Sequence, residues 1–392
     1  MAKKKRQSKA TESFHIDWLL LVITLSLIGL GYVMMVSSSL HLGAKTAGNS
    51  FHYPVRQLIH IIIAFIGSFV VVSIPMRFWE KYGSLLFIFG LFLLVMVLVP
   101  GVGVKVNGST RWLSLMGVRI QASEVVKFFS VIYIASYVTR HQQTVETAFF
   151  SLFRPLLLFA LACLLLLLEP DFGSAVVLLT IAVAVMYLGG ARLGQFFILM
   201  ALVSVLGKEL IYSSEYRLAR VTSFLNPWAD AQDTGFQLVQ ALIAFGRGEV
   251  FGVGLGSGIQ KIFYLPEAHT DFLFSVLAEE LGLLGVLTVI LLYSLLVIRA
   301  FMIGAKAEQS GLRFSAFVSY GLGVWFAFQS FINMGVNMGM LPTKGLTLPF
   351  MSYGGGSIIV MCAAVALLFR VYNEVVEKVA KAPKGKQEWV SE

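Results

Sequence analysis

Of the 392 residues, 57% are apolar and only 13% are charged, enough apolar chain for roughly ten bilayer spans of ~20 residues each. A water-soluble fold is excluded, because the charges gather in short stretches between apolar runs instead of along amphipathic faces. The net charge of +9 points to membrane orientation and not to nucleic acid: Lys3, Lys4, Lys5, Arg6 and Lys9 open the chain, and Lys378, Lys381, Lys384 and Lys386 close it.

Basic residues at both ends predict that both termini are cytoplasmic, which requires an even number of spans. The first apolar run, Trp18 to about Val36, is too long for a signal-peptide core and has no small-residue cleavage site beyond it, so it is read as a helix. Apolar runs then predict helices over 17–37, 56–75, 84–100, 123–139, 155–169, 172–189, 193–211, 271–298, 314–337 and 355–373. The expected fold is an all-α polytopic membrane protein of ten transmembrane helices: a basic tail over 1–16, a membrane domain over 17–373 and a second tail over 374–392. Inner loops would hold Arg77 and Lys81, Arg140 and Arg154, Arg192, and then Arg299, Lys306 and Arg313. A β-barrel is excluded by unbroken apolar runs such as Leu156 to Leu168. Cys163 and Cys362 each lie inside an apolar run and read as packing residues, without a disulfide or thiolate metal site.

This alternation places four unusual segments on the outer face: 101–123, Glu169–Gly173, the long loop 212–270 between helices 7 and 8, and 338–357. In the first, Asn107-Gly108-Ser109-Thr110-Arg111-Trp112 precedes Gln121-Ala122-Ser123-Glu124 and Lys127. Ser123 suits a helix cap, and Glu124 with Lys127 forms an i,i+3 pair worth ~0.2–0.5 kcal/mol in water. Charges are expensive near a bilayer, so the pair is also a candidate lining for a polar cavity. Glu169-Pro170-Asp171 joins two apolar runs with almost no loop. Its carboxylates suit capping or a cation, although two acids alone signal metal weakly and a tight turn accounts for them.

The loop 212–270 is too long for a simple connection, and Phe224, Trp228, Phe236, Phe245, Phe251, Phe263 and Tyr264 suggest that parts re-enter or lie on the membrane. It carries Arg217 and Arg220, then glycines at 252, 254, 256 and 258 before Gln260-Lys261. Arg217, Arg220 and Lys261 suit phosphate or lipid head groups equally. No Walker A sequence occurs, since Gly207-Lys208 is followed by Glu209.

Pro266-Glu267-Ala268-His269-Thr270-Asp271 leads into the eighth helix. Thr270 or Asp271 could simply cap it. Alternatively Asp271, Ser275, Glu279 and Gly282 form a polar stripe, Glu279 lying ~12 Å deeper at 1.5 Å per residue, where an acid needs a partner or a function. A partly desolvated Asp271 at the mouth would then serve as general base, with the helix N-terminus opposing any gain in proton affinity. Finally, two prolines and six glycines between Asn333 and Ser357 break the helical backbone, which inside a membrane implies a protein-lined or water-filled cavity.

Taken together and in order, Asn107–Lys127, Glu169–Ser174, Arg217–Gln237, Gly252–Asp271 with Glu279–Gly282, and Asn333–Ser357 resemble the SEDS family of bacterial cell-wall proteins. Leu341-Pro342-Thr343-Lys344-Gly345 and Leu348-Pro349-Phe350-Met351-Ser352-Tyr353 look like its division branch more than its elongation branch, and Gly356 departs from the usual serine. The resemblance implies a peptidoglycan glycosyltransferase that polymerises lipid II at the outer face of the cytoplasmic membrane, at the septum. It implies a class B penicillin-binding protein (an FtsI-like transpeptidase) and the FtsQ–FtsL–FtsB complex as partners, and no nucleic acid. It also implies Asp271 as the essential aspartate. Arg111, Lys127, Arg217, Arg220 and Lys261 are then the candidates for pyrophosphate, with Mg2+ or Mn2+ as a possible cofactor. Trp112, Glu124, Gln260, His269, Ser275, Glu279, Lys344 and Ser352 are expected to line the cavity. A lipid II flippase and a non-catalytic divisome scaffold are the alternatives.

Overall fold

The computed structural model describes residues 14–381 except 107, 108, 116, 117, 149, 152, 214, 234 and 344; the side chains of Arg217 and Arg220 also lie outside the described set. In chain order the helices are α1 (Trp18–Ala47), α2 (His52–Ser73), α3 (Met76–Leu98), α4 (Ala122–Arg140), α5 (Gln142–Thr147), α6 (Phe153–Leu168), α7 (Phe172–Leu188), α8 (Leu193–Tyr212), α9 (Glu215–Leu225), α10 (Phe236–Gly248), α11 (Leu273–Gln309), α12 (Arg313–Asn337) and α13 (Gly355–Ala380). Seven of these, α1 to α4 and α11 to α13, are long and apolar enough to cross a bilayer, while α6 and α7 are shorter apolar helices. The chain is therefore a multi-pass helical membrane protein.

Each of the ten expected helical stretches overlaps a helix, but α3 begins earlier and α1, α11 and α13 end later than expected. α1 continues past residue 37 because Ser37, Ser38 and Ser39 are buried, Ser37 donating to Glu280 at 2.8 Å. α11 continues past residue 298 because Arg299 folds back on Asp17 (2.7 Å), the side chain that also caps α1 at the Leu20 amide. α4 and α12 are central, 78% and 67% of their apolar windows being buried, and α2 is peripheral at 17%. α2 lies along α13, α3 along α4, and α11 along α12. Both cysteines are free thiols within helices.

Two features correct the expected pattern. The segment after α3 is a three-stranded antiparallel sheet, so the chain is not wholly α. Its strands are β1 (Gly103–Val106), β2 (Ser109–Leu115) and β3 (Val118–Gln121), and Trp112 pairs with Val104 on one side and Gln121 on the other. Its polar, β-branched alternation is too short to span a bilayer but long enough for a meander.

The second is a break in α11 at Gly282, where φ 63° and ψ −162° leave the helical region. The freed carbonyls of Glu279 and Glu280 accept from the amides of Val253 (3.0 Å) and Gly254 (3.1 Å), and the amides of Leu283 and Leu284 donate to the carbonyls of Glu249 (2.9 Å) and Val250 (3.2 Å). A strand-like splice therefore supplies partners to four of the groups at the break, as apolar surroundings require. A Cβ at Gly282 would stand 2.3 Å from the Gly252 nitrogen. Gly282→Ala is thus expected to cost at least ~1–3 kcal/mol in backbone strain alone, lowering the thermal midpoint of the solubilised protein, whereas Gly246→Ala, within α10 where a Cβ meets nothing within 4 Å, does not lower it. Equal midpoints would refute the strain account.

Candidate active site

The site is assembled where the four outlying segments meet. α12 presents Asn333 and Asn337, four residues apart and hence on one helix face, both buried. Each donates from Nδ2 to the main-chain carbonyl of Asp271 at 2.9 Å. Asn333 also binds the Leu346 carbonyl (2.6 Å), and the Asn337 Oδ1 accepts from the amide (3.1 Å) and hydroxyl (2.7 Å) of Ser275. Asparagine therefore satisfies the α11 N-terminus. The capping position itself falls on Phe272, which makes no side-chain cap bond, and the Thr270 hydroxyl is turned to Glu267 (2.7 Å).

Ser352 donates to the Thr270 carbonyl (2.6 Å) and accepts from the Leu348 amide (2.9 Å), and the Tyr353 amide donates to the His269 carbonyl (2.9 Å). The His269 ring lies between Tyr53 and Tyr353, at centroid separations of 5.2 and 5.5 Å. Burial lowers the imidazole pKa, with Glu267 acting in the opposite sense, so the ring is neutral at pH 7. Residues 269–271 are thus held on both flanks by main-chain and side-chain bonds, with Asp271 half-buried just before α11.

Arg111, from β2, is fixed by bonds from Nε to the Glu169 carbonyl (3.1 Å) and from Nη2 to the Pro170 carbonyl (2.6 Å). Its Nη1 turns toward Gly345: a Cβ there would stand 3.0 Å from Asp271 Oδ2 and 3.9 Å from Arg111 Nη1. Gly345 thus sits at the junction of the aspartate and the guanidinium. Asp171 caps α7 through the Ser174 amide (3.2 Å) and accepts from Gln121 Nε2 (3.4 Å), tying turn to sheet. At Gly356 a Cβ would stand 2.8 Å from the Gln121 amide nitrogen, so the glycine lets α13 lie directly on β3.

Other expected site residues have partners of their own. Lys127 is fully buried, bonded to Glu124 (2.7 Å) and Gln329 (2.7 Å) beneath the Trp325 ring. Lys261 is buried against Glu280 (2.5 Å) and Ser37 (2.8 Å). Glu279, also buried, accepts from the amides of Ile259 (3.0 Å) and Gln260 (3.1 Å) and from Arg247 (3.1 Å). Lys127 and Lys261, expected to meet pyrophosphate, and Glu124 and Glu279, expected to line the cavity, thus each have their charge compensated by an ion pair inside the protein. Gln260 is buried, and Trp112 is half-buried in the sheet. Ser123 is buried with no partner for its hydroxyl, and the cap position of α4 falls on Gln121. Arg217 and Arg220 belong to α9, but their side chains, like Lys344, lie outside the described residues.

Asn333, Asn337, Gly345 and Glu280 were not singled out from sequence. The i,i+4 pair of asparagines in an apolar helix was the available signal, because two buried amides there need partners. Among the described residues no group of three or more His, Cys, Asp or Glu could hold a metal ion, and no step is assigned to one.

A model of the FtsW/RodA/SpoVE family of cell cycle proteins matches residues 17–377. The chain belongs to this family. It is 60% identical to the probable peptidoglycan glycosyltransferase FtsW of Methylomonas methanica over 98% of this chain and 100% of that one. It is 56% identical to the FtsW of the same description in Methylococcus capsulatus, covering 93% and 91%. Among solved structures, it superposes with TM-score 0.75 and 27% identity on a chain of a peptidoglycan synthase complex described as coordinating polymerization and crosslinking, covering 93% and 99%. It also superposes on RodA of Thermus thermophilus with TM-score 0.66 and 26% identity, covering 92% and 97%. In the FtsW/RodA/SpoVE member described here, the matched span includes all four segments that build the site.

Proposed function

We propose that this chain is the peptidoglycan glycosyltransferase of septal wall synthesis, polymerising lipid II with Asp271 as general base. Lipid II has a buried polyprenyl tail, an interfacial pyrophosphate and a disaccharide-peptide in the outer compartment, so its enzyme needs an amphipathic cavity that opens outward. Asp271 takes the proton from the acceptor GlcNAc 4-hydroxyl as that oxygen attacks the donor MurNAc anomeric carbon, and undecaprenyl pyrophosphate leaves with inversion. One carboxylate is sufficient because pyrophosphate needs little acid assistance, unlike the alcohol leaving group of a glycosidase. Arg111 offsets charge developing on the leaving group; Arg217 and Arg220 are the remaining candidates.

The observation that carries this reading is the juxtaposition of Asp271 and Arg111 at Gly345, with the aspartate's main chain clamped by Asn333 and Asn337. The reading places ten helices across the cytoplasmic membrane, both termini inside and the site outside. It takes a class B penicillin-binding protein as partner transpeptidase and the FtsQ–FtsL–FtsB complex as part of the same assembly. The test is strand formation from purified lipid II by the solubilised chain with that transpeptidase, comparing wild type and Asp271→Asn. Strands made equally by both would overturn it.

A further inference from the structure

Glu169 closes α6, and the described structure gives neither of its carboxylate oxygens a hydrogen-bond donor although the residue is wholly buried. The charged groups around it are Asp171 of the same turn and Arg111 of β2. Asp171 uses its own carboxylate to cap α7 and to meet Gln121 of β3. Arg111 spends Nε and Nη2 on the main-chain carbonyls of Glu169 and Pro170, not on the carboxylate. The Leu346 side chain on the 345–346 loop packs against the same turn at Gly173 and brings no charge.

A buried carboxylate without donors is costly as an anion and far cheaper as an acid. Burial therefore raises the Glu169 pKa to about 8, the Asp171 charge adding to the rise and Arg111 opposing it. Held as an acid, the side chain makes no demand on Arg111. As an anion it becomes a second carboxylate acting on that guanidinium beside Asp271, and a stronger acceptor than the two neutral carbonyls that now orient it.

We propose that Glu169 is a positioning residue that works in its uncharged form: while it keeps its proton Arg111 stays on the turn carbonyls and faces Asp271, and when it loses the proton it draws the guanidinium onto itself and disables the site. The inference rests on the glycosyltransferase reading and adds to it the group that sets the upper pH limit of the reaction. The sign follows from the raised proton affinity. Activity is present below about pH 8 and falls as the pH rises through that value.

The experiment is the pH–rate profile of strand synthesis from lipid II by the full chain with its transpeptidase, for wild type and Glu169→Gln, which mimics the neutral acid. Wild type is expected to lose about tenfold between pH ~7 and ~9, while Glu169→Gln shows little fall over that range. The same alkaline fall in both proteins overturns the proposal. A purely structural role for Glu169 would change the amplitude of the profile and leave its midpoint in place. Should the glutamine variant not fold, wild type alone decides by isotope-edited infrared spectroscopy: a protonated glutamic acid carbonyl band present at pH ~6 and lost through about pH 8 supports the inference, and its absence at pH ~6 overturns it. Failure here, with Asp271→Asn still inactive, leaves the enzyme assignment standing; strands made by Asp271→Asn would remove the assignment itself.

Discussion

Asp271→Asn is expected to abolish strand synthesis while leaving the folded protein intact. Asparagine fills the same volume, and the bonds from Asn333 and Asn337 grip the main-chain carbonyl of residue 271, not its carboxyl group. The clamp, the Ser275–Asn337 bonds and the tie from Ser352 to Thr270 therefore survive the exchange. What is lost is the group that accepts a proton from the attacking hydroxyl. A positioned general base contributes ~10²–10⁴-fold, so kcat should fall by at least that factor with the thermal midpoint unmoved. The measurement is gel-resolved glycan from fluorescent lipid II, paired with a melting curve on the same preparation. A midpoint lowered in step with activity would show that the side chain supports the fold, and the role of base would have to pass to another residue.

The second large effect falls on Lys127, and it separates structure from chemistry. In water the Glu124–Lys127 pair would contribute only ~0.2–0.5 kcal/mol. Here the two side chains are 0% and 2% exposed, and removing one partner of a buried pair leaves a charge with nothing to balance it, at a cost of ~3–5 kcal/mol. Lys127→Met should therefore destabilise the protein severely. Glu124→Leu combined with Lys127→Met removes both charges and should recover most of the lost stability, giving a large coupling energy in the double-mutant cycle. Gln329 would still bond the Trp325 indole and the Thr347 carbonyl, which limits the damage in the pair. If Lys127→Met instead melts like wild type and loses only activity, the ammonium contacts substrate and the structural account is wrong.

Lys127 and Lys261, each buried in an ion pair, also show what a sequence can and cannot convey. Apolar runs located every long helix, because lipid imposes a composition that single residues cannot disguise. The ends were harder. Polar residues such as Ser37 and Arg299 resemble helix exits until their partners Glu280 and Asp17, far away in the chain, are seen. The same blindness governs the site. Arg111, Lys127 and Lys261 were singled out on the same ground, as cations for the leaving group, yet the fold brings Arg111 with Asp271 to one glycine and pairs the two lysines with buried carboxylates. A charge is visible in sequence, but its compensation is a property of three dimensions. The short strands over 103–121 were invisible for another reason: four to seven residues carry too little periodicity to outweigh a loop reading.

The splice at Gly282 has a kinetic consequence. The amide protons of Val253, Gly254, Leu283 and Leu284 are donated across one junction, so none can exchange with deuterium unless the whole junction parts. These four should exchange at a common slow rate, as one cooperative unit, despite lying on two stretches separated by the segment that bears Asp271. Isotope uptake at residue 253 would then report directly on the integrity of the helix below the catalytic mouth.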